Sequence, residues 1–87
     1  MKSLENVIVT LLLRPGDKSL DMEIPAFMPA EELSDKLLET LRTMNPVGYD
    51  SVTKLSLRHG GAELKPTDTP ASQGIWDGGT LEIVNIM

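Results

Sequence analysis

Eighty-seven residues, 40% apolar and 24% charged, have the makeup of a globular chain, not that of a disordered segment or a membrane protein. The length sets one domain, residues 1–87, which buries only about 60 to 65% of its unfolded surface on folding. Thirteen acidic residues against eight basic ones leave a net charge of −5, and there is no cysteine; nucleic acid is therefore disfavoured as a partner, and disulfides, thiolate nucleophiles and Cys-rich zinc sites are excluded together.

The first element is the run from Val7 to Leu13. A bilayer span needs about 20 apolar residues, and no A-x-A cleavage site follows, so direct membrane insertion is not expected. The run predicts a strand central in its sheet and covered on much of both faces. Arg14-Pro15-Gly16-Asp17 is a set of turn formers and predicts a hairpin. Lys18 to Ile24 then alternates, with Leu20, Met22 and Ile24 on one side and Ser19, Asp21 and Glu23 on the other, a strand that buries one side only.

Pro29 suits a first helical position, where its missing amide hydrogen costs nothing. Glu31, Glu32 and Asp35 place negative charge at the positive end of the helix dipole. Leu33, Leu37, Leu38, Leu41 and Met44 make a narrow apolar stripe, and Asn45-Pro46 ends a helix expected over Ala30–Met44. The stretch from Val52 to His59 predicts a third strand, with Thr53, Leu55 and Leu57 facing the core and Lys54, Ser56 and Arg58 facing out. Val52 falls on the polar side and breaks that pattern. Gly60-Gly61 predicts a tight turn, Ala62 to Lys65 a short fourth strand, Thr67 to Gly74 a turn-rich stretch with room for one helical turn, and Thr80 to Val84 the last strand.

This order, with its one long helix after the first hairpin, resembles the ubiquitin-like β-grasp arrangement over almost the whole chain: an α+β fold, a mixed sheet of four to five strands packed on one helix. Leu57, Leu64, Ile75, Leu81 and Ile83 reproduce the core spacing of ubiquitin's second half without a gap. A narrower match covers Asp21 to Leu41, where D-M-E-I-P-A-F-M-P resembles the approach to the helix in the YukD/EsaB family, ubiquitin-like proteins that accompany type VII secretion in Gram-positive bacteria. The resemblance implies a cytoplasmic, non-conjugated accessory or regulatory module whose partner is a protein, such as a membrane component or ATPase of the secretion system. One departure from ubiquitin bears on mechanism. The chain ends Glu82-Ile83-Val84-Asn85-Ile86-Met87, whereas a conjugated modifier or a sulfur carrier needs a C-terminal diglycine. A modifier or carrier with a shortened C-terminus therefore stands as the alternative, and the detached N-terminal domain of a membrane protein as a third.

No enzyme activity, cofactor or metal is expected. His59 is the only histidine, at the core-facing side of a strand end, and reads as structural. The carboxylate pairs Glu31-Glu32 and Asp21-Glu23 read as a solvated face. The outward side of the sheet is more informative. Alternation sends Val7, Val9, Leu11, Leu13, Leu81 and Ile83 toward the helix and Ile8, Thr10, Leu12, Glu82, Val84 and Ile86 away from it. With the first and last strands adjacent, as the resemblance implies, Ile8, Leu12, Val84 and Ile86 form an apolar strip flanked by Lys54, Ser56 and Arg58. Such a patch marks a partner site, hetero or weakly homo-oligomeric; the alternative is that the chain's own ends cover Leu12 and Ile86. The surface matches the usual recognition face of ubiquitin, with Arg58 standing where ubiquitin carries a central isoleucine. Trp76 is either a binding hot spot or a lid on the loop from Thr67 to Gly74.

Overall fold

The computed structural model describes residues 6–14, 16 and 18–87. Along the chain run β1 (Asn6–Arg14), β2 (Lys18–Pro25), α1 (Ala30–Met44), β3 (Lys54–His59), β4 (Ala62–Glu63) and β5 (Thr80–Ile86). The five strands form one sheet in the order β2-β1-β5-β3-β4. The two chain-distant strands β1 and β5 pair in parallel, and every other pair is antiparallel. This is the expected β-grasp arrangement of α+β class, a mixed sheet against one helix.

The β-branched run Val7-Ile8-Val9 opens β1, and that strand is paired on both edges, by β2 and by β5. It is not covered on both faces. Val7, Val9 and Leu11 are buried, while Ile8 is 55% exposed, so a nearly continuous apolar run here serves a core on one side and a free surface on the other. Of the hairpin residues joining β1 to β2, Pro15 and Asp17 lie outside the described residues; Gly16 has φ 109, which an L side chain resists.

Leu33, Leu37, Leu38 and Leu41 of α1 are buried against the inner face of the sheet, and the backbones of α1 and β3 come close. Pro29 is the residue before the first helical turn and not within it. The orphan amides of that turn are met from a distance: Ala30 N donates to the Asp68 carbonyl at 2.7 Å and Glu31 N to that of Pro66 at 3.1 Å. Buried Ser34 returns its hydroxyl to the Glu31 carbonyl at 2.9 Å. Met44, expected in the buried stripe, is 58% exposed, at the last residue of the helix.

Two further expectations change. Val52 is fully buried and Thr53 exposed, the reverse of the predicted alternation, because β3 begins only at Lys54. Before it the chain turns, with Val52 N bonded to the Tyr49 carbonyl and Thr53 N to that of Ile86, so strand parity does not reach back to either residue. Arg42 holds this loop by donating to the Tyr49 and Val52 carbonyls. β4 has two residues rather than four, extended by one bond from Leu64 N to the Leu57 carbonyl at 2.8 Å. Residues 67–74 make successive turns, Gln73 N to the Thr69 carbonyl among them.

Leu57, Leu64, Ile75, Leu81 and Ile83, the residues that carried the spacing argument, are all buried in one core with the helix leucines. Each fully buried large aliphatic side chain contributes roughly 1.5–3 kcal/mol of transfer free energy. That core is what ties the helix to one side of the sheet and leaves the other side open.

Candidate interaction surface

The strand register fixes which outward side chains are neighbours, because residues directly opposite in a sheet share a face. Leu12 lies between Ser19 of β2 and Glu82 of β5, and Glu82 lies opposite Arg58 of β3. One step along, Val84 sits between Arg14 and Ser56; beyond it Ile86 faces Lys54. Leu12, Val84 and Ile86 therefore run diagonally across β1 and β5. Ile86 is 41% exposed, and Leu12 and Val84 are half-buried.

A charged cluster stands inside this surface. The Glu82 carboxylate meets Arg14 Nε at 3.1 Å and Arg58 Nε at 3.5 Å, with each side chain about a third exposed. The guanidiniums are further held by the Gly16 carbonyl at 2.7 Å and the Gly61 carbonyl at 2.9 Å. Two cations around one anion give the patch a positive centre on an acidic molecule. At this exposure the pairs are worth about 0–1 kcal/mol each; their consequence is orientation of Arg14 and Arg58 more than stability. Arg14 was absent from the expected site, although the parity that placed Ile8, Thr10 and Leu12 outward also reaches it.

Ile8 does not join the other three. It lies opposite Glu23, and Thr10, whose hydroxyl donates to Asp21 at 2.7 Å, stands between it and Leu12. On the β5 side Ile8 meets the turn before the strand: its amide donates to Asp77 Oδ1 at 2.8 Å and its carbonyl accepts from Gly78 N at 2.9 Å. Ile8 and Leu12 are four residues apart on β1, about 13 Å at strand pitch, and the β1–β5 pairing begins only at Thr10 and Thr80, so the expected strip is two separate features. The parallel offset between β1 and β5 is the cause, and alternation along single strands does not contain it.

Trp76 stands in the same turn, whose Asp77 and Gly78 bond Ile8. It opens the turn that closes with Gly79 N on the Trp76 carbonyl at 2.8 Å, and Thr10 N in turn bonds the Gly79 carbonyl at 2.9 Å. A Cβ on Gly79 would stand 3.0 Å from the Trp76 carbonyl oxygen, so a side chain there would force the turn to give by a few tenths of an ångström. Trp76 is 51% exposed. His59 is half-buried; its Nδ1 lies 2.9 Å from the Thr80 carbonyl, which requires the proton on that nitrogen and ties the end of β3 to the start of β5. Among the described residues no three His, Cys, Asp or Glu side chains gather to hold a metal, and no helix is long and apolar enough to cross a membrane.

Several known proteins are similar to this chain. A chain of the MycP5-free ESX-5 inner membrane complex superposes with a TM-score of 0.74 at 21% identity over 94% of this chain. This chain spans only 21% of that one. The EccD5 ubiquitin-like domain from Mycobacterium xenopi superposes with a TM-score of 0.74 at 19% identity, covering 93% of this chain and 94% of that domain. Caldiarchaeum subterraneum ubiquitin gives 0.63 at 18% identity over 94% and 95% of the two chains. At such identities the likeness establishes a ubiquitin-like fold. No curated protein matches the chain at a significant level. The family model described as WXG100 protein secretion system (Wss), protein YukD, matches residues 7–83. With that match spanning most of its length, the chain belongs to the YukD family, ubiquitin-like β-grasp proteins associated with type VII secretion.

Proposed function

We propose that this protein is a non-catalytic, non-conjugated docking module, a single domain acting on the cytoplasmic side of a WXG100 secretion system by binding one of its larger protein components. The observation that carries this reading is the one-sided sheet: α1 buries the inner face, while Leu12, Val84 and Ile86 remain on the outer face around the Arg14–Glu82–Arg58 cluster. Exposed apolar area with a polar surround is the anatomy of a recognition surface. The partner is a membrane component or ATPase of the apparatus; an ESX-5 inner membrane complex includes a chain with a region of this fold. Ile8 and Trp76 form a second contact at the other end of the sheet. No cofactor takes part.

The test is a titration of the labelled protein with the cytosolic part of the secretion membrane component or ATPase, read by amide shifts. Shifts on Leu12, Arg58 and Val84 are expected, with affinity lowered at least tenfold by Val84→Glu at unchanged thermal unfolding. Shifts confined to α1 would sink the reading. A second reading, that the module is the ubiquitin-like domain of a larger membrane protein, is favoured by the match to a fifth of an ESX-5 membrane-complex chain. Immunodetection of the endogenous protein distinguishes the two by mass.

A further inference from the structure

The sheet has two edges of unequal kind. At one, β4 is two residues long. At the other, β2 runs for eight residues, Lys18–Pro25, and pairs only with β1. Every second amide and carbonyl of β2 therefore points away from the sheet, and among the described residues no bond from another segment reaches the backbone of Lys18 to Ile24. Natural edges of this length are usually blunted by charge, proline or a covering element. Here Pro25 stands at the end of the strand, and the exposed Lys18, Asp21 and Glu23 carry the charge along it, which selects against indiscriminate pairing while its outward backbone groups stay open.

The side chains along this edge are sorted by face. Asp21 and Glu23 stand exposed on the outer side, whereas Leu20 and Met22 on the inner side are only half-buried against the core. Beyond Leu20 the inner face opens into a groove of about 530 Å³ between the hairpin end of the sheet and the end of α1. Leu13, Leu20, Leu41, Met44 and Tyr49 supply its apolar lining, and Lys18 lies at its mouth.

We propose that the β2 edge is a strand-addition site for an extended segment of a partner protein, with basic residues at alternate positions on its outer side and apolar residues between them. Backbone hydrogen bonds to the open edge supply affinity, and the alternating side chains supply selectivity. Lysine or arginine opposite Asp21 and Glu23 completes cross-strand charge pairs; apolar residues between them extend the cover over Met22 and Leu20, and an acidic residue suits Lys18. A second copy of this chain does not fit. In a two-fold antiparallel pairing, the registers that use almost the whole strand are centred on Asp21 or on Met22. The first opposes Asp21 to its own copy and the second opposes it to Glu23, and like charges directly opposite are destabilising. This edge is formed by β2, whereas Val84 and Ile86 lie on β5, two strands away across the sheet.

The probe is the peptide acetyl-Val-Lys-Val-Arg-Leu-Thr-Glu-amide, titrated into the labelled protein and followed by amide shifts. Shifts are expected along Lys18 to Ile24 and at Met44 and Tyr49. Two further peptides carry N-methyl groups on alternate amides, one in each phase. Strand addition requires one phase to abolish binding and the other to retain it, since only one set of amides faces β2. The double variant Asp21→Lys, Glu23→Lys should weaken the parent peptide about tenfold, the size of two cross-strand charge pairs. Equal behaviour of the two methylated peptides, shifts centred on Arg58 and Val84, or no shift at millimolar peptide would each overturn the proposal. The methylation arms use the unmodified protein, so the outcome does not depend on the variant folding.

Discussion

The two faces of this sheet are built from the same strands, and on β1 and β5 both faces carry large apolar side chains, yet they do opposite work. On β5, Leu81 and Ile83 are fully buried, while Val84 and Ile86, one step out of phase, keep part of their surface in water. On β1 the same holds for Leu11 against Ile8 and Leu12. Hydrophobicity alone does not tell the two sets apart; the position of a single helix does. The buried apolar side chains lie between the sheet and α1, so substitutions on the outer face put less stability at stake.

That contrast can be broken most severely at the centre of the buried side. Leu81→Ala should cost about 2–5 kcal/mol, the transfer loss plus a cavity, seen as a lower urea midpoint with an unchanged slope. Ile86→Ser on the opposite face should stay within about 0.5 kcal/mol. Comparable losses from the two would erase the distinction between the faces. At the next level, Gly78 holds φ 86 in the turn that carries Trp76. Gly78→Ala should cost about 1–2 kcal/mol, and the Ile8 amide resonance should move with it, because that amide donates to Asp77 Oδ1 in the same turn.

Asn85 is a polar residue on the buried side. It lies on the inner parity of β5, and its side-chain oxygen is buried without a hydrogen-bond partner among the described residues. Asn85→Leu should therefore stabilise the fold by about 1 kcal/mol, measured in the same unfolding series. The smallest effect concerns Tyr49, the only tyrosine, whose phenol is pushed above its usual value by burial. Because the unfolded phenol ionises first, this contribution is complete below about pH 10 and is lost as pH rises toward the folded value. Spectrophotometric titration should show ionisation delayed in the folded protein, and Tyr49→Phe should make the alkaline decline in stability shallower.

Much of the fold was legible because its signals are local. The stripe from Leu33 to Leu41 and the inward set Leu55, Leu57, Leu81 and Ile83 each follow from the period of one element and are buried as that period requires; the alternation of β2 is legible in the same way, with Ile24 buried and Leu20 and Met22 half-buried on the inner side. The misreadings fall where periodicity stops. Val52 was assigned by a strand that had not begun, and Met44 by a helical stripe carried to the final residue of α1. The candidate site was legible only in part: parity put Ile8, Leu12, Val84 and Ile86 on the outer face, but the offset between β1 and β5 separates the first from the rest.

The sequence by itself determined the class of fold, the extent of the helix and the side of each strand that seeks the core, because these depend on spacing along the chain and on the chemistry of single residues. Which outward residues become neighbours was decided only in the tertiary structure. So were the bridging of Arg14 and Arg58 by Glu82, the docking of the Trp76 turn onto Ile8, and the open edge of β2. Each of these depends on the register and order of strands distant in the chain, and that is set by how the shared core closes around one helix.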